Sequence, residues 1–248
     1  MRMKEDQLLT GQLKPGYNIQ VGTENNFVIG YDVFPNPTDT RTLKPHLDNV
    51  MRRLDCKFKF AIADAGYGSE ENYDYLEEKG ITGIIKYSNY EMETKKSFKN
   101  KIFNSENWKY DAEQKEYTCP CGNPVPYKKT ETQKNGSGYE RTYDVYQCDN
   151  CEGCPFRDLC TKSEYGRMIQ RNEHWLEQKA KVKVILATDE YKKLMIERSP
   201  ECETVFGQVK GNQNFRRFHL RGKEKVGTEW GLLMIGYDFK QLARLMKT

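Results

Sequence analysis

The chain has 248 residues, 37% hydrophobic and 31% charged, with 40 Lys and Arg against 36 Asp and Glu for a net charge of +4. That length holds one large domain or a core with an insertion, and the charge bias is too small to argue nucleic-acid binding by itself. No run of roughly 18 apolar residues occurs and the opening MRMKEDQLLTGQLKPG lacks the apolar stretch of a signal peptide, so a membrane partner is not expected and the sequence reads as cytoplasmic, where disulfides are rare.

In chain order, Tyr17, Ile19 and Val21 alternate with polar residues, as do Phe27, Ile29, Tyr31 and Val33, with Glu24-Asn25-Asn26 between them. This pattern predicts a β-hairpin. PNPTDT breaks the pattern, and Leu43, Leu47, Val50, Met51 and Leu54 then recur at helical spacing. FKFAIA predicts a buried strand ending at Asp64, Ser69 caps a helix from Glu70, and ITGIIKY supplies a further strand. The order is β-β-α-β-α-β. From about Ser88 to Gly166 the chain turns polar and holds six of the eight cysteines, which reads as an insertion.

Helical character returns with Trp175 to Leu186, Asp189 to Glu197, and Pro200 to Gly211, the last starting sharply because Ser199 precedes a proline at the first helical position. A final helix, Glu229 to Met246, carries Leu232, Leu233, Ile235, Phe239, Leu242 and Leu245 on a face expected to meet the core. The expected division is a core from residues 1–87 and 188–248, interrupted by a cysteine-rich insertion and helical connection at 88–187.

CDNCEGCPFRDLC places Cys148, Cys151, Cys154 and Cys160 in a C-x2-C-x2-C-x5-C run, and TCPCG places Cys119 and Cys121 upstream. Four thiolates satisfy a tetrahedral Zn2+, and the compact run is the expected set. A split set pairing Cys119 and Cys121 with two later cysteines competes with it, and C-x2-C-x2-C is also an iron–sulfur spacing. Cys56 and Cys202 stand apart and read as small apolar residues.

Asp64 at the end of an apolar strand needs compensation, from a metal ion or a hydrogen-bonded turn. Glu201 and Glu203 lie early in a predicted helix, and Glu203, Gly207 and Lys210 share one helical face. A strand-end carboxylate and a helix carboxylate can hold divalent cations between them for phosphodiester chemistry, with Lys210 at a phosphate. Taken singly, each residue also reads as a cap, turn former or helix-dipole partner. The stretch KGNQNFRRFHLRGKEK offers Arg216, Arg217 and Arg221 to DNA phosphates, or forms a solvated loop anchored by Phe215 and Phe218.

GQLKPGYNIQ, ADAGYGSEENYDYL, CDNCEGCPFRDLC and ERSPECETVFGQVKGNQNFRRFHLRG together resemble bacterial insertion-sequence transposases with a DDE catalytic domain. The resemblance implies a ribonuclease-H-like α/β core, DNA at transposon ends and at the target as partner, and Mg2+ or Mn2+ as cofactor. It puts the second catalytic aspartate on Asp64 and the catalytic glutamate on Glu203. The related tyrosine-arginine-glutamate-lysine signature matches here only in the Glu203 to Lys210 spacing: Met195 stands at the tyrosine position, and Arg198 precedes Glu203 by five. Arg198 is a further candidate phosphate contact.

In that fold a central first strand bears the first aspartate and precedes the hairpin, and no such strand is legible before Tyr17. Glu24 belongs to the turn and Asp32 alternates with Tyr31 and Val33, so neither replaces it. The sequence therefore reads as a carboxyl-terminal fragment with little or no DNA cleavage of its own, prone to associate as a homodimer through the open sheet position. The alternative to a transposase is an inactive, zinc-stabilised DNA-binding remnant.

Overall fold

The computed structural model describes residues 2–5, 11 and 13–247. It is a mixed α/β structure in two compact units, Met1–Tyr87 with Lys181–Thr248, and Ser88–Ala180. Among the described residues no helix is long and apolar enough to cross a membrane.

The first unit opens with the antiparallel pair β1 (Arg2–Glu5) and β2 (Leu13–Gly16), followed by the hairpin β3 (Asn18–Glu24) and β4 (Phe27–Phe34). Asn25 and Asn26, at φ 52° and 66°, make the left-handed two-residue turn that matches strand twist, so the hairpin forms where the alternation places it. Helix α1 (Leu43–Leu54) buries Leu43, His46 and Val50 and stops at left-handed Asp55. Strand β5 (Phe60–Gly68) leads into α2 (Glu70–Lys79), whose first turn is capped by the Ser69 hydroxyl accepting from the Asn72 N–H at 3.3 Å. Gly80, at φ 69°, ends α2, and β6 (Thr82–Tyr87) returns parallel to β5. The pairs β3–β4 and β5–β6 are separate two-stranded sheets among the described residues.

The second unit holds two short helices, α3 (Tyr90–Glu93) and α4 (Lys96–Lys99). Its antiparallel sheet comprises β7 (Lys109–Asp111), β8 (Glu116–Thr118), β9 (Pro124–Lys134), β10 (Glu140–Gln147) and, after α5 (Arg157–Cys160), β11 (Met168–Arg171). Trp108, Tyr117, Val125, Tyr146, Cys148 and Ile169 form its core. Helix α6 (Glu173–Ala187) carries the chain back to the first unit.

Two helical expectations are corrected. Asp189–Gly207 is one helix, α7, where the sequence predicts a break at Ser199-Pro200. Proline removes a single N–H from the helix ladder, and packing on both sides, Tyr191 against Phe60 and Val205 in the core, carries the helix through. A π-helical turn, Gln208–Asn212, follows.

The last helix, α8 (Lys223–Leu245), starts six residues earlier than expected and buries Val226, Trp230, Gly231, Met234 and Tyr237. Leu232, Ile235, Phe239, Leu242 and Leu245, read as core, are exposed, and only Leu233 of that set packs inward. Close approach decides the face: a Cβ on Gly231 would lie 2.2 Å from the Tyr31 hydroxyl, so the glycine side of α8 meets the hairpin and the leucine side turns away.

The pairing of β5 with β6 is tight where the first unit's site begins. A Cβ on Gly68 would meet Lys86 O at 2.3 Å and Tyr87 Cα at 2.7 Å, both backbone atoms that cannot give way. Gly68→Ala is expected to cost about 1–3 kcal/mol in urea unfolding, the usual range for overpacking. Gly236, in α8 with no atom within 4 Å of its would-be Cβ, is the control. Gly236→Ala is expected to stabilise by about 0.5–1 kcal/mol through helix propensity.

Candidate functional site

Strand β5 pairs with β6 through Ala63↔Ile85 and resumes only at Gly68↔Tyr87, so residues 64–67 leave the ladder. Asp64 stands at that break with its side chain 69% exposed, and its carboxylate accepts from the guanidinium of Arg198 on α7. Arg198 is only 17% exposed, and its Nε is buried without a hydrogen-bond partner. The expectation of a buried carboxylate in need of compensation is corrected: Asp64 is largely solvated, and its partner is the less exposed Arg198.

Tyr67, three residues on, donates its hydroxyl to Gln20 Oε1. Burial first, then the charges of Asp39, Asp64 and Cys202, push its ionisation far above the ordinary tyrosine range, so it remains a donor at any physiological pH. The Gln20 amide donates to Asn18 Oδ1 at 2.8 Å and to Asp39 Oδ1 at 3.1 Å, and Asn18 donates to the same Asp39 oxygen at 2.9 Å. Thr23 Oγ1 donates to Glu201 Oε2 at 3.3 Å and lies 3.6 Å from Cys202 Sγ. Three sets of polar contacts thus lie between these elements: Tyr67, Gln20, Asn18 and Asp39 join the end of β5 to β3 and the Asp39 turn, Thr23 and Glu201 join β3 to α7, and Asp64 and Arg198 join β5 to α7.

Asp39 and Tyr67 are not legible from sequence as members of a site, and Glu201 is offered there only beside Glu203. Asp39 sits in PNPTDT, which reads only as a break, and spacing alone does not say which glutamate of α7 turns toward β3. Five residues along a helix rotate about 140°, so Glu203 points well away from the direction of Arg198. Glu203 is exposed. Among the described residues, no three His, Cys, Asp or Glu side chains stand together as a group able to hold a metal ion. Asp32 is held by His46 Nδ1 at 2.7 Å and Asn49 Nδ2 at 3.0 Å, a structural role inside the hairpin–α1 contact.

The basic segment combines both readings offered by its sequence. Phe215 and Phe218 pack with each other at 5.2 Å between ring centroids and against Trp230 at 6.4 and 6.2 Å, anchoring the loop. Arg216, Arg217 and Arg221 are exposed around that anchor, and exposed Lys210 sits 5.4 Å above the Phe206 ring. Glu229 of α8 ties the loop down by accepting from the N–H groups of His219 at 2.9 Å and Leu220 at 3.0 Å, and it also meets the His219 ring.

In the second unit, all six cysteines of the insertion line one cavity of about 20 Å³. Cys119 and Cys121 come from the turn between β8 and β9, closed by Gly122 N–H on Cys119 O at 2.9 Å with Gly122 at φ 82°. Cys148 follows β10, Cys151 and Cys154 lie in the next loop, and Cys160 ends α5. The structure therefore joins Cys119 and Cys121 to the run read from sequence. Cys121 Sγ lies 3.1 Å from Cys154 Sγ, and this hydrogen bond, ahead of burial, pushes the Cys121 thiol up to about 11. Burial pushes Cys148 up to about 12.

A family described as "Transposase DDE domain" matches residues 118–243, just over half of the chain. The matched span takes in the six clustered cysteines, Arg198, Glu203, Lys210 and the arginine loop, and Asp64 lies ahead of it. No curated protein and no solved structure matches the chain.

Burial raises the Glu229 pKa, and the two backbone donors with His219 more than offset it, leaving the carboxyl below the ordinary glutamate range. A depressed folded-state pKa gives stability that is present above the unfolded value, about 4.3, and lost as pH falls through the folded one. The loop is therefore expected to loosen on acidification below about pH 4.3, seen as faster amide exchange at His219 and Leu220. Glu229→Gln is expected to produce the same loosening at neutral pH.

Proposed function

The chain belongs to the transposase DDE-domain family, and from that premise we propose that it cleaves and joins DNA at transposon ends on a ribonuclease-H-like core. The observation that carries the reading is the exposed Arg216, Arg217 and Arg221 on an aromatic anchor inside the family-matched segment. Guanidinium groups on a fixed loop suit phosphate oxygens, because each planar fork offers paired donors. Lys210, one π-helical turn ahead, adds a point charge on the same stretch. The hairpin, α1, β5, α2 and β6 in that order support the ribonuclease-H-like assignment.

Asp64 and Glu203 are the carboxylates we assign to strand cleavage. Transposases of this family use divalent metal ions, which activate water and stabilise the leaving oxygen. Oxygen donors suit such an ion, but the arrangement does not: Asp64 is paired with Arg198, Glu203 points away from that pair, and no three His, Cys, Asp or Glu side chains group to hold a metal ion among the described residues. Arg198, held at Asp64, is a further guanidinium for backbone phosphate.

Binding and nicking of a labelled duplex carrying the element's end test this reading. Affinity is expected to fall with salt, and the Arg216→Ala/Arg217→Ala pair is expected to lower the log–log salt slope by about 2. Weak nicking is expected only with Mg2+ or Mn2+, and lost in Asp64→Asn and Glu203→Gln while binding persists. Salt-independent binding, or nicking that survives both carboxylate substitutions, overturns the proposal. Intact binding with no nicking under any metal selects the inactive DNA-binding remnant.

A further inference from the structure

Helix α8 is apolar on two sides. Trp230, Met234 and Tyr237 are buried in the core of the first unit, while Leu232, Ile235, Phe239, Leu242 and, at the carboxyl end, Met246 are exposed. At about 100° per residue the centres of the two sets stand roughly 150° apart around the helix axis, so the exposed set is a separate face and not the rim of the buried one. A helix that is apolar all round is one that is covered all round.

The exposed set recurs at intervals of 3, 4, 3 and 4 residues. This average of about 3.5 is the repeat that keeps one seam of a helix against a second helix, and a covering sheet or loop requires no such repeat. No charged residue lies in the seam, so nothing in it selects an oppositely charged partner. Knobs at this spacing fit the holes left by the same spacing in an identical helix.

The area is that of an interface. With roughly 200 Å² for a fully exposed side chain of this size, the five residues and adjoining Leu245, between 46% and 80% exposed, offer on the order of 700 Å². The largest apolar patch of a typical monomer is about 300–600 Å², and each partner of a stable complex contributes about 800 Å². Leu232 and Ile235 also wall an open groove of about 420 Å³ against Val28, Ile29 and Tyr31 of β4, which carries the apolar surface from the helix onto the hairpin.

We propose that a second copy of the chain covers this face, with α8 of one protomer packing along α8 of its partner about a two-fold axis. Each copy supplies the same seam, so the contact is complete at two and leaves none open for a third. The pairing uses no charge and no nucleic acid.

Sedimentation of the DNA-free full chain under reducing conditions, at salt high enough to screen exposed charges, is expected to show one species of twice the 29.1 kDa chain mass. Phe239→Glu/Leu242→Glu, which forces charge into the seam, is expected to weaken association at least about 100-fold and leave a monomer with unchanged far-ultraviolet dichroism. Phe239→Ala/Leu242→Ala adds no charge and decides the matter if the first variant does not fold, with an expected weakening of about 10-fold. Lys240→Glu, a charge reversal on α8 off the seam, is expected to retain the dimer. A monomeric unaltered chain, association that survives the seam substitutions, association lost equally in Lys240→Glu, or growth past the dimer overturns the proposal.

Discussion

Helix α7 ties together two sheets that share no backbone ladder. Among the described residues no backbone ladder joins the β3–β4 and β5–β6 pairs, so side chains carry the connection. Tyr191 of α7 packs on Phe60 of β5, Arg198 holds Asp64, and Glu201 meets Thr23 of β3. Tyr67 and Gln20 close the same link beneath the helix. Such a network is strong only while every member is satisfied, because a buried polar group that loses its partner incurs its full desolvation cost. A change that breaks the Asp64–Arg198 pair therefore also loosens the join between the sheets.

Local signals were readable where one residue type dictates one backbone state. Asn25-Asn26 specifies the hairpin turn and Ser69 the start of α2, and each appears in the structure where it is written in the sequence. The strand read as ending at Asp64 instead runs to Gly68, with its ladder to β6 interrupted over residues 64–67, because Gly68 pairs again with Tyr87. What failed were readings that depend on neighbours. Pro200 signals a start only if nothing on either side holds the helix, and Val205 and Tyr191 do hold it. The apolar side of α8 looked like core because hydrophobicity was counted and the close approach allowed by Gly231 was not. The pairing of Asp64 with Arg198 joins positions 134 apart, and no periodicity encodes it.

The cysteine-rich unit shows the reverse. Residue type and spacing read as a metal site, and the fold brings six thiols, more than the run read from sequence, to one cavity. Sequence proximity favours the run beginning at Cys148, but a residue that directly follows a core strand is drawn into the core with it. Cys119 reaches the same cavity from a turn almost thirty residues earlier, carried there by the pairing of β8 with β9. Tertiary contact therefore outweighs sequence spacing in deciding which thiols meet, which is why spacing alone does not separate the compact from the split set.

Helix α8 leaves Leu232, Ile235, Phe239, Leu242, Leu245 and Met246 facing water, between 46% and 80% exposed. Apolar hydration has almost no enthalpy near room temperature and a large heat capacity, so attraction between such surfaces weakens on cooling and strengthens with excluded salts such as sulfate. The chain's colloidal behaviour should follow: clear in the cold at moderate ionic strength, and clouding on warming or when salted. Raising the salt to suppress electrostatic contact with DNA would then drive the protein toward its own kind, so the two influences on its solution state pull in opposite directions.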